Sequence, residues 1–182
     1  MTVLPDHEII DHHENDHLPS LLDPFRPDRV EPASVDLLLS GDFRVFEPNE
    51  STFIDLGYPE TRLGLTKKVW RPDQFVLHPG EFVLASTTEK VMLPSHIMAR
   101  VEGKSSLARL GLIVHATAGF IDPGFEGTIA LEMTNLLRIP IILRPFLPIC
   151  QISFSYMNAP VDKPYSGRYQ GQDKTTESRY GT

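Results

Sequence analysis

The chain has 182 residues, 41% hydrophobic and 23% charged, with a formal net charge of −7, which suits one domain with a sizeable core and leaves little room for two. That acidic balance argues against a general nucleic-acid surface, which needs clustered Lys and Arg, and no window approaches the roughly 18 uninterrupted apolar residues of a membrane span. Asp6 and Glu8 stand where a secretory leader would be basic, so a cytoplasmic protein is expected. The one cysteine, Cys150, lies between Ile149 and Gln151 in an apolar run; it has no internal disulfide partner and reads as a buried small hydrophobe.

Near the start, Asp6 is placed to cap a short helix carrying Ile9 and Ile10. Four histidines, His7, His12, His13 and His17, crowd this region. His7-Glu8-Ile9-Ile10-Asp11 misses the zinc motif HExxH by its last residue, so a solvated, titratable surface is expected. The stretch LPSLLDPFRPDRVEP is too rich in proline to continue a helix and reads as an extended connector. From Ala33 the pattern turns to strands: SVDLLL, FRVF, then FVLHPGEFVLAS, with Pro79-Gly80 as a hairpin or close turn. Further apolar runs follow at 97–101, 112–118, 128–135, 139–143 and 149–156. Many short strands punctuated by Gly and Pro predict a mainly β fold, a barrel or jelly roll with a few short helices. The predicted body covers 1–157. Residues 158–182 are polar and aperiodic, a disordered tail or a lid that orders over a ligand.

Residues 103–135, GKSSLARLGLIVHATAGFIDPGFEGTIALEMTN, carry the chemistry. In Gly103-Lys104-Ser105-Ser106-Leu107-Ala108-Arg109 the serines can cap a helical turn, and Arg109 lies four residues after Ser105, on the same face. Free N–H groups, hydroxyls and two cations suit phosphate; an ordinary capped turn is the alternative. A nucleotide P-loop is excluded, because Met98 stands where its first glycine belongs. Pro123 and Gly124 suit the centre of a tight turn, with Asp122 either capping it or holding a carboxylate toward a sugar or base. Further on, alternation sets Ile129, Leu131 and Met133 on one face and Thr128, Ala130, Glu132 and Thr134 on the other. Small neighbours leave room for a ligand beside Glu132, suiting it to proton shuttling, although a solvent-facing strand carboxylate is the commoner case. His115, inside the apolar run LIVHATA, reads as a structural histidine rather than a proton donor.

This stretch resembles the core signature of the dCTP deaminases, members of the trimeric dUTPase superfamily. EPASVDLLL with FRVF resembles the N-terminal segment of that family, and PYSGRYQGQ its C-terminal segment, so the likeness covers most of the chain. It implies a distorted β-barrel or jelly-roll subunit in a homotrimer with active sites shared between subunits. The implied reaction is hydrolytic deamination at C4 of the cytosine of dCTP, without zinc; a single cysteine cannot supply the H-x-E and P-C-x-x-C set of the zinc deaminases.

By the same resemblance, Glu132 is the general acid/base, with Ser105 and Arg109 as further catalytic residues. Lys104 and Ser106 contact the triphosphate, Asp122 the deoxyribose, and the backbone of Ala116 and Ala118 the cytosine edge. Tyr165, Arg168 and Gln172 come from the tail. Mg2+ is carried by the triphosphate and needs no protein cage. In the family, Gly followed by an aromatic after the TA dipeptide accompanies enzymes that carry the product on to dUMP, and this chain has Gly119-Phe120. The chain departs from the family at Phe146-Leu147, at Cys150, and in a shortened C-terminal segment where Arg168 replaces a lysine. A deaminase that stops at dUTP, a dUTPase acting on dUTP alone, and a non-catalytic nucleotide-binding trimer remain as alternatives; inhibition by dTTP is suggested by the resemblance alone.

Overall fold

The computed structural model describes residues 2–47, 53–62, 64–115 and 117–181. In chain order the elements are β1 (Thr2–Val3), α1 (Asp6–Glu14), β2 (Leu22–Asp23), β3 (Val30–Glu31), β4 (Ser34–Leu38), β5 (Asp42–Phe46), β6 (Thr66–Trp70), β7 (Phe75–Leu77), β8 (Phe82–Met92), β9 (Ile97–Gly103), α2 (Ser105–Ala108), β10 (Leu112–Val114), β11 (Phe120–Ile121), β12 (Glu126–Asn135), β13 (Ile141–Leu143) and β14 (Pro148–Tyr156). The fold is mainly β, of the jelly-roll kind expected. One antiparallel sheet runs β11-β9-β14-β4-β3 with β1 on β14; the second runs β10-β12-β8-β5-β6 with β2 on β8; β13 and β7 form a separate pair.

Period-two alternation builds the core. Val35 and Leu37 of β4, Ala99 and Val101 of β9, and Ile152 and Phe154 of β14 share one buried cluster with Val83 and Ala85 of β8, Leu131 and Met133 of β12, and Phe43 of β5. Burying a side chain of this size contributes about 1.5–3 kcal/mol. Cys150 is fully buried and unpaired, as expected, and burial pushes its thiol pKa up.

Several elements depart from expectation. Asp6 is the first residue of α1, not its cap: Pro5 holds the cap position, and the Asp6 carboxylate accepts from the N–H of His7 at 2.8 Å. The proline-rich connector contributes two short strands, with Leu22 paired to Val91 and Val30 to Val35. Pro79-Gly80 makes the close turn, with Glu81 N–H donating to the His78 carbonyl at 3.1 Å and Gly80 at φ +73. The strands it joins lie in different sheets, however, so it turns a corner instead of closing a hairpin. Strand β6 was not anticipated, because Lys67 and Lys68 face solvent on an edge strand where no apolar alternation is required. Strand β8 runs on through Thr87 and Glu89, both buried despite their polarity: the Thr87 hydroxyl donates to the Glu89 carbonyl at 2.8 Å, and the Glu89 carboxylate accepts from the Leu38 N–H at 3.0 Å. The run at 112–118 ends as a strand at Val114, since His115 takes φ +54.

The N-terminal histidines divide. His7 and His17 are exposed, but His12 is buried between the Pro19 carbonyl (2.9 Å) and the Tyr156 hydroxyl (3.2 Å). His13 stacks on Phe25 with centroids 3.6 Å apart, and its Nδ1 meets the Ser20 hydroxyl at 2.8 Å. The surface reading therefore fails for these two. Burial, aided by the nearby His12, lowers the His13 pKa from 6.5 to about 4. The unfolded chain then binds more protons than the folded one between these values, so the stabilisation is complete above pH 6.5 and is lost as pH falls toward 4. Replacing His13 by Phe, which keeps the stack without the titration, is expected to flatten the fall of the thermal midpoint over that interval; an unchanged slope would contradict the assignment.

Candidate active site

A cavity of about 620 Å³ opens on the second sheet, lined by residues of β12 and β8, of the segment 118–125 and of the C-terminal tail. Strand β12 sets its floor. Alternation puts Ile129, Leu131 and Met133 in the core and turns Ala130 and Glu132 to the cavity, on the face expected. Glu132 pairs in register with Leu84 of β8, which fixes its height in the sheet.

His115 is tied to Glu132 twice. Its backbone N–H donates to the Glu132 carbonyl at 2.8 Å, extending the β10–β12 ladder by one step. The left-handed backbone then turns the side chain in, and Nδ1 stands 2.9 Å from Glu132 Oε2, a close charge pairing without the alignment of a straight hydrogen bond. The imidazole is almost fully enclosed, while the carboxylate keeps about a third of its surface open to the cavity. Burial by itself lowers the His115 pKa, but the Glu132 carboxylate, by contact and by charge, outweighs it and holds the pKa above the ordinary 6.5. His115 is thus a site residue that sequence reasoning placed in the structure only. A readable signal was the run of small residues behind it, Ala-Thr-Ala-Gly, which cannot fill a core and so marks an opening.

The other wall is built on two glycines. A Cβ at Gly119 would stand 2.5 Å from the Val101 carbonyl oxygen, so only glycine lets β11 lie against β9 while the Val101 N–H donates to the Gly119 carbonyl at 2.8 Å. Phe120 follows, exposed in the cavity wall. Pro123 and Gly124 form the centre of the expected turn, with Gly124 at φ +91 and Phe125 N–H donating to the Asp122 carbonyl at 3.2 Å. The Asp122 side chain does not cap this turn; it lines the cavity.

The tail lies along this wall. Tyr165 N–H donates to the Pro123 carbonyl at 2.8 Å and its ring meets Phe125 edge-on at 5.6 Å. Gln172 brackets β12, its carbonyl accepting from Thr128 N–H at 2.8 Å and its Nε2 donating to the Thr128 carbonyl at 2.7 Å. Its Oε1 is a buried acceptor without a partner.

The cavity therefore gathers Glu132, Ala118, Asp122, Tyr165 and Gln172. It does not include Lys104, Ser105, Ser106, Arg109 or Arg168. Lys104 pairs with the Asp36 carboxylate, while Ser105, Ser106 and Arg109 are exposed on or just after α2, where Arg109 N–H donates to the Ser105 carbonyl at 3.1 Å. Arg168 is exposed, and its carbonyl receives the Arg179 guanidinium. Ala116 lies outside the described residues.

Residues 3–157 match the dCTP deaminase-like family, and the chain belongs to it. It is 46% identical over 163 residues to a protein of Corynebacterium efficiens named "dCTP deaminase, dUMP-forming", covering 87% of this chain and 84% of the relative. It is 47% identical over 163 residues to a protein of the same name from Beutenbergia cavernae, covering 87% and 85%. Among solved structures it is similar in fold to the 2′-deoxycytidine 5′-triphosphate deaminase of Agrobacterium tumefaciens, with a TM-score of 0.65, 24% identity and coverage of 84% of this chain; it spans about half, 47%, of that chain.

Because its folded pKa is raised, His115 contributes stability that is complete below pH 6.5 and is lost as pH rises through the higher folded value. His115→Asn is expected to lower the thermal midpoint more at pH 6 than at pH 9. An equal loss at both would show that the ion pair contributes nothing.

Proposed function

We infer that the protein hydrolyses dCTP, releasing ammonia from cytosine C4 and then diphosphate to leave dUMP. The observation that carries this reading is the geometry at Glu132: a carboxylate on a buried strand, open to a nucleotide-sized cavity and held by a histidine. Glu132 takes a proton from water, and the hydroxide adds to C4. The proton passes to N3; the hydroxyl proton then moves through Glu132 to the exocyclic nitrogen, the C4–N4 bond breaks, and ammonia leaves a uracil carbonyl. His115 holds Oε2 so that the carboxylate presents its other oxygen to the water, and the backbone at Ala118 lies along the base. Asp122 supports selection of a deoxyribose. Attack of a second water on the α-phosphorus then expels diphosphate.

Lys104, Ser105, Ser106 and Arg109 act, in this reading, from a neighbouring subunit of a homotrimer. All four lie outside the cavity of their own chain, and the exposure of Ser105, Ser106 and Arg109 supports that arrangement; exposed Leu110 and Leu136 beside them favour contact with a second copy. Among the described residues no three His, Cys, Asp or Glu side chains gather around a metal position. Triphosphate oxygens suit the octahedral demand of Mg2+, which supplies charge neutralisation when bound.

Glu132→Gln keeps the shape of the side chain and removes the base. Ammonia release from dCTP is expected to fall by about 10²–10⁴-fold, the span of general acid–base catalysis, with dCTP still bound. Normal deamination by this variant would refute the mechanism.

A further inference from the structure

Lys104 stands at the start of α2 with a side chain only 21% exposed, paired with Asp36, whose side chain is 14% exposed. Lysine is seldom so enclosed without an acceptor. The sheet explains why these two meet. Strand β14 lies between β9 and β4, with Gln151 in register with Glu102 on one side and with Asp36 on the other. The three side chains therefore share the outer face, opposite Val35, Val101 and Ile152 in the core. Of the two carboxylates in that row, Glu102 is met by Arg100 Nε at 3.5 Å, and Asp36 receives Lys104. The β9–β14 ladder ends at Gly103, opposite Cys150. Lys104 follows directly, so its side chain crosses β14 to reach β4.

The backbone of Lys104 is held as well. Its carbonyl accepts from the Leu107 N–H at 3.0 Å and from the Ala108 N–H at 2.9 Å, which closes the single turn of α2. Main chain and ammonium are thus each tied to a different element. An ammonium carries three N–H donors; Asp36 takes one, and tetrahedral geometry points the others away from the carboxylate.

We propose that Asp36 is a positioning residue for Lys104, fixing the ammonium so that its other donors meet a phosphate of the nucleotide. The proposal rests on the reading above, in which Lys104 contacts the triphosphate from a neighbouring subunit; the ion pair itself does not. A lysine stem loses much rotamer freedom wherever it is fixed, and a carboxylate in contact with the ammonium fixes it from within the protein. Asp36 also repels phosphate, so the proposal requires the gain in orientation to outweigh that repulsion.

Affinity measured by calorimetry tests this, in the Glu132→Gln background with magnesium, using dCTP and, as a ligand without phosphate, deoxycytidine. Lys104→Met is expected to weaken dCTP binding about tenfold or more, the scale of losing a hydrogen bond from a charged group. Asp36→Asn keeps the shape and removes the charge. It is expected to weaken dCTP about fivefold, the difference between a charged and a neutral hydrogen bond, with deoxycytidine unaffected and no further loss when added to Lys104→Met. Asp36→Glu should retain part of the affinity that Asp36→Asn loses. Unchanged or tighter dCTP binding by Asp36→Asn would overturn the proposal. So would an equal loss for deoxycytidine, which marks a merely structural role, a further loss on top of Lys104→Met, or a Lys104→Met variant that binds dCTP normally. Because affinity is read without turnover, the expected binding pattern together with no ammonia from dCTP in the wild type would uphold the role of Asp36 and refute the deaminase reading.

Discussion

The cavity depends on one constraint, the double attachment of His115 to Glu132. A carboxylate on a regular strand would ordinarily sweep through several rotamers, and a histidine at the end of an apolar run would ordinarily continue the strand. Here the backbone bond at 2.8 Å extends the ladder one residue past β10, the left-handed turn ends it, and the ring lands 2.9 Å from Glu132. Further along, Ala118 lines the same cavity as Glu132.

That space is bounded by elements with separate reasons for their places. Gly119 admits a close approach to β9 that any side chain would prevent. The turn at Asp122–Phe125 needs a positive φ at its third residue, and Gly124 provides it. Strand β5 sits at the other side of the cavity and turns Arg44 toward the tail. Rigid β structure thus carries the floor and two walls, and the irregular tail, held by directional hydrogen bonds rather than by apolar burial, completes the enclosure. This division is physically reasonable for a site that must admit and release a charged ligand, since polar bonds at a rim exchange with water at low net cost.

Much of this was legible in the residues. Period-two alternation in 128–135 put Glu132 on the open face without further information, and Pro123-Gly124 announced its turn by residue type. The resemblance to the dCTP deaminases, carried by residues 103–135, agrees with the family to which the chain belongs. What stayed hidden depends on tertiary contacts that leave no local trace. LIVHATA reads as a continuous strand, and the turn at His115 arises from its tie to Glu132. His12 and His13 look like surface residues until Tyr156 and Phe25 are folded over them. Strand β6 is an edge strand with lysines outward, and the tail lacks any periodicity because single polar contacts hold it. The cluster Lys104, Ser105, Ser106 and Arg109 reads as a phosphate cradle, and within one chain it stands apart from the cavity that holds Glu132.

The proposed reaction takes dCTP, bound in this cavity, through loss of ammonia and then of diphosphate. Incubation of the protein with dCTP and magnesium, with ammonia, dUTP, dUMP and diphosphate resolved over time, tests it most directly. The expected result is ammonia, dUMP and diphosphate in equal amounts with no accumulation of dUTP. Accumulation of dUTP without diphosphate would restrict the cavity to deamination, and an absence of ammonia from dCTP would contradict the role given to Glu132.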